Sequence, residues 1–289
     1  MLKVARGSMN AIDVTVIVPT FRRPDQLVQA VRSALAQDGI GLEVHVVDDS
    51  PEGSAREAVE SLVDDRVTYT RRAQPSMGRP AIVRNEAWPR ARGRYVHFLD
   101  DDDLVEPGAY RAHIEALDAN PSAAMCFGRI EAFGDDPVAV AAERTFWNGG
   151  ADRARRSARL GRFALVATML FDGAMFQNSA CMVRKRALQD IGGFDAGMPV
   201  QEDTEMHARG TRLHGCVFID RTVVRYRVNP QSLMRARDVQ VRLVESYARM
   251  QRKYRERYGL AEFMALKIFV RARAALSRLH RTASPRGRG

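Results

Sequence analysis

Val14-Thr-Val-Ile-Val18 is a run of apolar and β-branched residues closed by Pro19. Such a run predicts a strand buried on both faces, as in a parallel sheet. Pro24-Asp25 then opens a segment with Leu27, Val28, Val31, Ala34 and Leu35 at helical spacing. Further strands are predicted over Glu43–Asp49, Val67–Arg71 and Arg94–Asp100. Helices fall between them over Ser54–Val63 and over Pro80–Arg90, the latter broken near Pro89. Strands alternating with helices imply right-handed crossovers and a parallel sheet.

The second half is less regular. Pro107–Ala119 predicts a helix, and Ala123–Gly128 and Ile130–Phe133 predict strands. Gly134–Gly161 is poor in β-formers and rich in Arg, Asp and Gly, and reads as a long loop or mobile insertion. Phe176–Arg184 reads as a strand, Arg186–Ile191 as a short helix before Gly192-Gly193, and Glu202–His214 as a helix. Cys216–Asp220 and Thr222–Val228 read as strands, and Val239–Tyr258 and Glu262–Arg281 as basic helices. No internal repeat is visible.

Composition narrows the class. The chain has 289 residues, 45% hydrophobic and 28% charged, which excludes a wholly disordered or collagen-like protein. A chain of this length can bury about three-quarters of its unfolded surface without staples. Cys126, Cys181 and Cys216 are widely spaced with no CxxC, which argues against a disulfide scaffold or zinc site and fits a reducing compartment. No apolar run approaches the roughly 20 residues that span a bilayer. Met1–Asn10 is polar and basic and lacks the apolar stretch of a secretory leader. Residues 1–10 are therefore set apart as a leader, disordered or left over from cloning.

Charge changes the picture further. The net charge is +10, yet residues 235–289 hold 15 Lys+Arg against 4 Asp+Glu, so the body is nearly neutral. A basic tail suits anionic lipid, nucleic acid or an acidic partner, with a solvated helix face as the plain alternative. The Arg286-Gly-Arg-Gly end is expected to fray.

In an open α/β sheet, ligands bind beyond the carboxyl ends of the strands. Here those ends carry Pro19-Thr20, Asp48-Asp49 and Asp100–Asp103. No GxGxxG follows the first strand, so dinucleotide binding by a glycine turn is not supported. Four adjacent aspartates repel one another, and a hard divalent cation relieves that by taking oxygen ligands from one or two. The alternative is a solvated turn or a cap for the next helix. The acids lack EF-hand spacing.

Taken in order, these segments resemble the family 2 glycosyltransferases of the GT-A fold. Val14-Thr-Val-Ile-Val-Pro-Thr-Phe-Arg-Arg23 resembles the opening strand and nucleotide loop, and Val46-Val-Asp-Asp-Ser50 the second strand with its base-binding acid. Gly78-Arg-Pro-Ala-Ile-Val-Arg-Asn85 resembles the G…ARN segment. Gly93-Arg-Tyr-Val-His-Phe-Leu-Asp-Asp-Asp-Asp-Leu-Val-Glu-Pro107 resembles the stretch that carries the DXD motif. Asn178-Ser179, Gly192-Gly-Phe-Asp195 and Glu202-Asp203 follow as acceptor-side elements. Each motif is weak alone, but the ordered set is specific.

The resemblance implies a Rossmann-like, mostly parallel sheet with flanking helices over residues 11–234, followed by a basic helical extension over 235–289. Residues 11–120 would form the nucleotide-binding half and 121–234 the acceptor half. It implies an inverting, metal-dependent hexosyltransferase using a nucleotide-diphosphate sugar, with UDP the usual nucleotide. The acceptor would be a hydroxyl in a glycan or lipid-linked acceptor of polysaccharide, lipopolysaccharide or glycoconjugate synthesis. Asp49 would accept from the nucleobase, with Pro19 and Phe21 lining it, Arg23 near the base or phosphates, and Thr20 also contacting the nucleotide sugar. Gly78 would belong to the donor loop, and Arg84 would bind the diphosphate. Asp101 would contact the ribose with Asp100 in support, and Asp102 would hold Mg²⁺ or Mn²⁺. Asp203, beside Glu202, would be the general base. Without the resemblance, Glu202 and Asp203 read simply as acids that complement a helix dipole.

Two departures stand out. Many relatives carry a histidine three residues after a Tyr-Arg pair; here Tyr226-Arg227-Val228-Asn229 has asparagine nearby, a weaker metal ligand. Arg22 stands where relatives often carry asparagine. The implied location is cytoplasmic, with the basic tail docking at the inner membrane face and no specific nucleic acid as partner. A nucleotide-binding or membrane-surface scaffold of the same fold without turnover is the alternative.

Overall fold

The computed structural model describes residues 11–229 and 238–283. The expectations placed on residues 1–10, on 235–237 and on the Arg286 end lie outside these. The strands are β1 (Val14–Thr20), β2 (Leu42–Asp48), β3 (Val67–Arg71), β4 (Tyr95–Phe98), β5 (Leu104–Val105), β6 (Met125–Phe133), β7 (Cys181–Arg184) and β8 (Cys216–Arg227). They form one sheet in the order β3-β2-β1-β4-β7-β6-β8-β5. β3, β2, β1 and β4 run parallel, as do β6 and β8, while β7 is antiparallel to β4 and β6, and β5 to β8. The mostly parallel sheet expected from the alternating pattern is therefore present.

The helices are α1 (Pro24–Leu35), α2 (Arg56–Glu60), α3 (Pro80–Ala87), α4 (Ala109–Asp118), α5 (Pro137–Ala158), α6 (Arg162–Phe171), α7 (Lys185–Ile191), α8 (Glu202–His214), α9 (Val239–Tyr258) and α10 (Leu260–Ala283). Alternation along β1 explains the layering. Val14, Val16 and Val18 pack with Leu27, Ala30 and Val31 of α1. Ile17 belongs to the opposite layer, with Ala81 and Val83 of α3 and Met206 of α8. Burying each such valine, leucine or isoleucine contributes about 1.5–3 kcal/mol. A third cluster joins Val166, Ala167 and Leu170 of α6 to Met250 and Tyr254 of α9 and to Phe263, Leu266 and Val270 of α10. The basic helices thus share a core with the body.

The structure corrects several sequence expectations. The loop expected over Gly134–Gly161 is mostly α5, a 22-residue helix. Asp136 caps it by accepting from the amides of Val138 (2.9 Å) and Ala139 (3.1 Å), and Pro137 starts its first turn. Its glycine pair, Gly149-Gly150, obscured the helical period. The helix α6 had no counterpart in the reading. The two strands expected over 123–133 are one, β6, with a register irregularity between Phe127 and Ile130. The two expected over 216–228 are likewise one, β8. The strand expected from Phe176 starts only at Cys181, after a single 3-10 turn over Asn178–Ala180.

Candidate active site

The carboxyl ends of β1, β2 and β4 open onto one rim of the sheet, and the acids gather there. Asp48, at the end of β2, is fully buried and accepts from the amides of Ser50 (2.8 Å) and Ala55 (2.9 Å) and from the Tyr69 hydroxyl (3.0 Å). It holds the loop rather than facing a ligand. Asp49 accepts from the Ser76 amide (2.8 Å) and hydroxyl (2.5 Å) and from Arg72 (2.5 Å). Its own amide donates to the Thr20 carbonyl (2.9 Å), which ties the second loop to the first. Pro19 is half-buried and Phe21 is 48% exposed beside this loop. Gly78 is exposed at φ +78°, with open space around it.

The four aspartates after β4 have distinct surroundings. Asp100 accepts from Arg84 (2.7 Å), and its amide donates to Ser179 Oγ (3.0 Å). Asp101 accepts from Thr20 Oγ1 (2.8 Å) and from Arg23 (3.1 Å). Asp102 accepts from Arg23 (2.9 Å), with Asn229 Nδ2 at 3.5 Å. The departure at Asn229 therefore lies beside the acid that the resemblance assigns to metal. Asp103 is fully buried and accepts from Gln177 Nε2 (2.9 Å) and the Arg227 amide (3.0 Å). Burial pushes the Asp101 carboxyl up to about 6, against the pull of Arg23. Burial and the neighbouring carboxylates also raise Asp102, and raise Asp103 well above the usual range.

Arg84 connects this cluster to Glu202-Asp203. It is buried, donates to Asp100 at 2.7 Å and to Glu202 Oε1 at 2.6 Å, and lies 5.4 Å from the centre of the Phe194 ring. Its Nε is buried without a partner among the described residues. Both terminal nitrogens are thus engaged by carboxylates. Asp203, in the first turn of α8, accepts from the Thr204 amide at 2.6 Å. Burial, and next the charge of Glu202, push its carboxyl up to about 7, with Arg84 opposing. Gln201, just before these acids, holds a left-handed φ of +61°, a strained conformation that fixes how α8 begins.

Sequence reasoning missed Tyr247 and Gln177 here. Tyr247 of α9 brings its hydroxyl to 3.5 Å from Gln201 Oε1, and its phenol is pushed up to about 12 by burial and by the charge of Asp203. Trp147 of α5 meets the Tyr226 ring at 6.1 Å, beside the aspartates that raise the Tyr226 phenol. Gln177 spans Asp103 and, at 3.4 Å, Asp100. No pattern could assign Tyr247, because α9 reaches the site only through tertiary packing. His207 is buried edge-on to Phe127 and is structural.

Among the described residues no group of three or more His, Cys, Asp or Glu forms a ready-made metal cage. The donor set still fits a hard divalent cation. Mg²⁺ commonly takes one or two carboxylates and leaves its other positions to phosphate and water. Asp102 stands against the charge of Asp100, which favours any cation that joins them.

Comparison with known proteins bears on the fold and the family. The profile described as "Glycosyl transferase family 2" matches residues 15–192, more than half of the chain. The succinoglycan biosynthesis protein ExoO of Rhizobium meliloti (strain 1021) is 39% identical over 107 residues, 37% of this chain and 30% of that protein. The GalNAc(5)-diNAcBac-PP-undecaprenol beta-1,3-glucosyltransferase of Campylobacter jejuni is 36% identical over 117 residues, 40% of this chain and 37% of that protein. The matched stretch thus spans about a third of the length of these curated relatives. S. aureus TarS 1-349 in complex with UDP-GlcNAc superposes with a TM-score of 0.58 at 16% identity, covering 83% of this chain and 70% of that one. The mannosyltransferase PcManGT from Pyrobaculum calidifontis, in complex with GDP-Man and Mn²⁺, gives 0.55 at 18% identity, covering 94% and 83%. These likenesses confirm the expected fold, and the profile match over the strand-end acids settles the lineage: the chain belongs to glycosyl transferase family 2.

Proposed function

We propose that the chain is an inverting glycosyltransferase that moves a hexosyl group from a UDP-sugar to a hydroxyl of a glycan or lipid-linked acceptor, in surface polysaccharide or glycoconjugate synthesis on the cytoplasmic side of the membrane. The observation that carries this reading is the Arg84 bridge, which fixes the strand-end aspartates and the Glu202-Asp203 pair in one frame.

In this reading the nucleobase lies against Pro19, Phe21 and Asp49, and the ribose against Asp101, which Thr20 orients. Arg23 is placed to turn from Asp101 and Asp102 toward the diphosphate. A divalent cation, Mg²⁺ or Mn²⁺, would be held by Asp102 and would offset charge developing on the diphosphate. Arg84 acts as a positioning residue, since its two terminal nitrogens are committed to Asp100 and Glu202. The acceptor oxygen bonds to the anomeric carbon on the face opposite the diphosphate. The bond from that carbon to the diphosphate oxygen breaks, and the hydroxyl proton passes to Asp203. A carboxyl near 7 suits a base working at neutral pH. Tyr247 and Trp147 stand on the acceptor side, where aromatic rings suit the apolar faces of sugars.

UDP release from UDP-glucose, UDP-galactose and UDP-GlcNAc with Mn²⁺ tests the reading. One donor is expected to be turned over, and Asp203→Asn is expected to lower the rate by about 10²–10⁴-fold. Turnover unchanged by Asp203→Asn contradicts the assigned base. Absent turnover with retained nucleotide binding favours the scaffold alternative.

A further inference from the structure

A surface helix normally presents one apolar stripe inward and polar residues outward. α10 departs from this. Its inward residues Phe263, Leu266 and Val270 are buried against α6 and α9. Its outward side carries Leu260, Met264, Ile268 and Leu276, which are 41–61% exposed, and between them the exposed Ala261, Ala265, Ala272 and Ala275. Leu260, Met264 and Ile268 recur every four residues and form one stripe. The helix has a single acid, Glu262, and it is turned toward the body, bound by Arg212 (2.6 Å) and Tyr254 (2.6 Å). Arg271 is the exposed charge along the outward side between Leu260 and Leu276.

The patch continues onto the corner between α5 and α6. Leu160 and Phe163 are 60% and 44% exposed there, and the Phe163 ring meets Phe269 of α10 at 5.7 Å. Around that corner stand Arg156, Arg159 and Arg162, all exposed. An apolar surface edged by cations, with the neighbouring acid Asp172 paired to Arg273 of α10 (2.7 Å), is suited to the boundary between acyl chains and anionic headgroups. Among the described residues no helix is long and apolar enough to cross a membrane, so α10 would lie on the bilayer plane. A second copy is a poorer occupant, because a two-fold contact through this face would set the same arginines against one another.

We infer that the outward side of α10, with the Leu160–Phe163 corner, docks this protein on an anionic bilayer surface. Resting on the transferase reading, this would hold the donor site near lipid-linked acceptors. The whole chain is tested by flotation with vesicles of phosphatidylcholine alone or with a quarter phosphatidylglycerol. Wild type is expected to float with the anionic vesicles, about tenfold more than with the neutral ones, and less at high salt. A double variant, Met264→Glu with Ile268→Glu, is expected to lose about tenfold, as is Arg156→Glu with Arg159→Glu. A Phe163→Trp reporter is expected to be quenched by brominated phosphatidylglycerol. No flotation of wild type, flotation undiminished by the substitutions, or an unquenched reporter overturns the inference. A solution dimer dispersed by Met264→Glu with Ile268→Glu overturns it too and assigns the face to a second copy. Nucleotide-induced thermal shifts on the same samples report separately on the transferase reading.

Discussion

At the scale of single residues, Asp203 is the group whose surroundings say most about chemistry. Its carboxyl is held near 7 by burial and by Glu202, with Arg84 limiting the rise. A base must be ionised to accept a proton, so the transfer rate is expected to rise with pH up to about 7 and then level off. Glu202→Gln removes a like charge and should shift that limb to lower pH, while Asp203→Asn should abolish it. A pH–rate profile checks this, and a limb near the ordinary carboxyl range in wild type would contradict it. The same shift has a stability counterpart. The folded protein binds this proton more tightly than the unfolded chain does, so Asp203 makes the fold less stable as pH rises from about 4 to about 7. The urea midpoint should therefore fall less over that window in Asp203→Asn.

At the scale of elements, α5 separates what patterns reveal from what packing decides. Its two central glycines have opposite demands. A Cβ on Gly149 would meet only the end of the flexible Arg153 side chain, at 3.6 Å. A Cβ on Gly150 would lie 3.1 Å from the Met175 carbonyl oxygen, where the helix passes close to the segment leading to Gln177. Gly149→Ala is expected to stabilise by about 0.5–1 kcal/mol, as alanine does in a helix interior. Gly150→Val is expected to destabilise by about 1–3 kcal/mol through overpacking. Thermal unfolding of the two variants checks the contrast, and equal effects would contradict the close approach. The glycines made this segment read as loop, yet one of them lets a helix pack there. The strands and acids of the first half were legible because buried parallel strands are continuous apolar runs and their ends carry the site. Tyr247 and the helix α6 were not, since their roles depend on contacts between distant segments.

At the scale of the molecule, the sheet collects acids from the ends of β2 and β4, and Arg84 joins those after β4 to α8 across 118 residues of sequence. The basic helices at the far end belong to this frame. Asp195, in the segment before α8, is held well below the usual carboxylate range despite burial, by Arg249 (2.9 Å) and Lys253 (2.7 Å) of α9. The charge excess of the tail is thus partly spent on internal pairs, and Tyr247 extends the same helix into the site. The nucleotide site is the claim on which the functional account depends. Its most direct test is the melting temperature of wild type and Asp102→Asn with UDP, GDP, dTDP or CMP, each with and without Mn²⁺. The account predicts that UDP with Mn²⁺ stabilises wild type, by about 2.7 kcal/mol at 100 times its dissociation constant, and that Asp102→Asn loses most of this gain. No shift from any nucleotide, or an equal shift in Asp102→Asn, would contradict it.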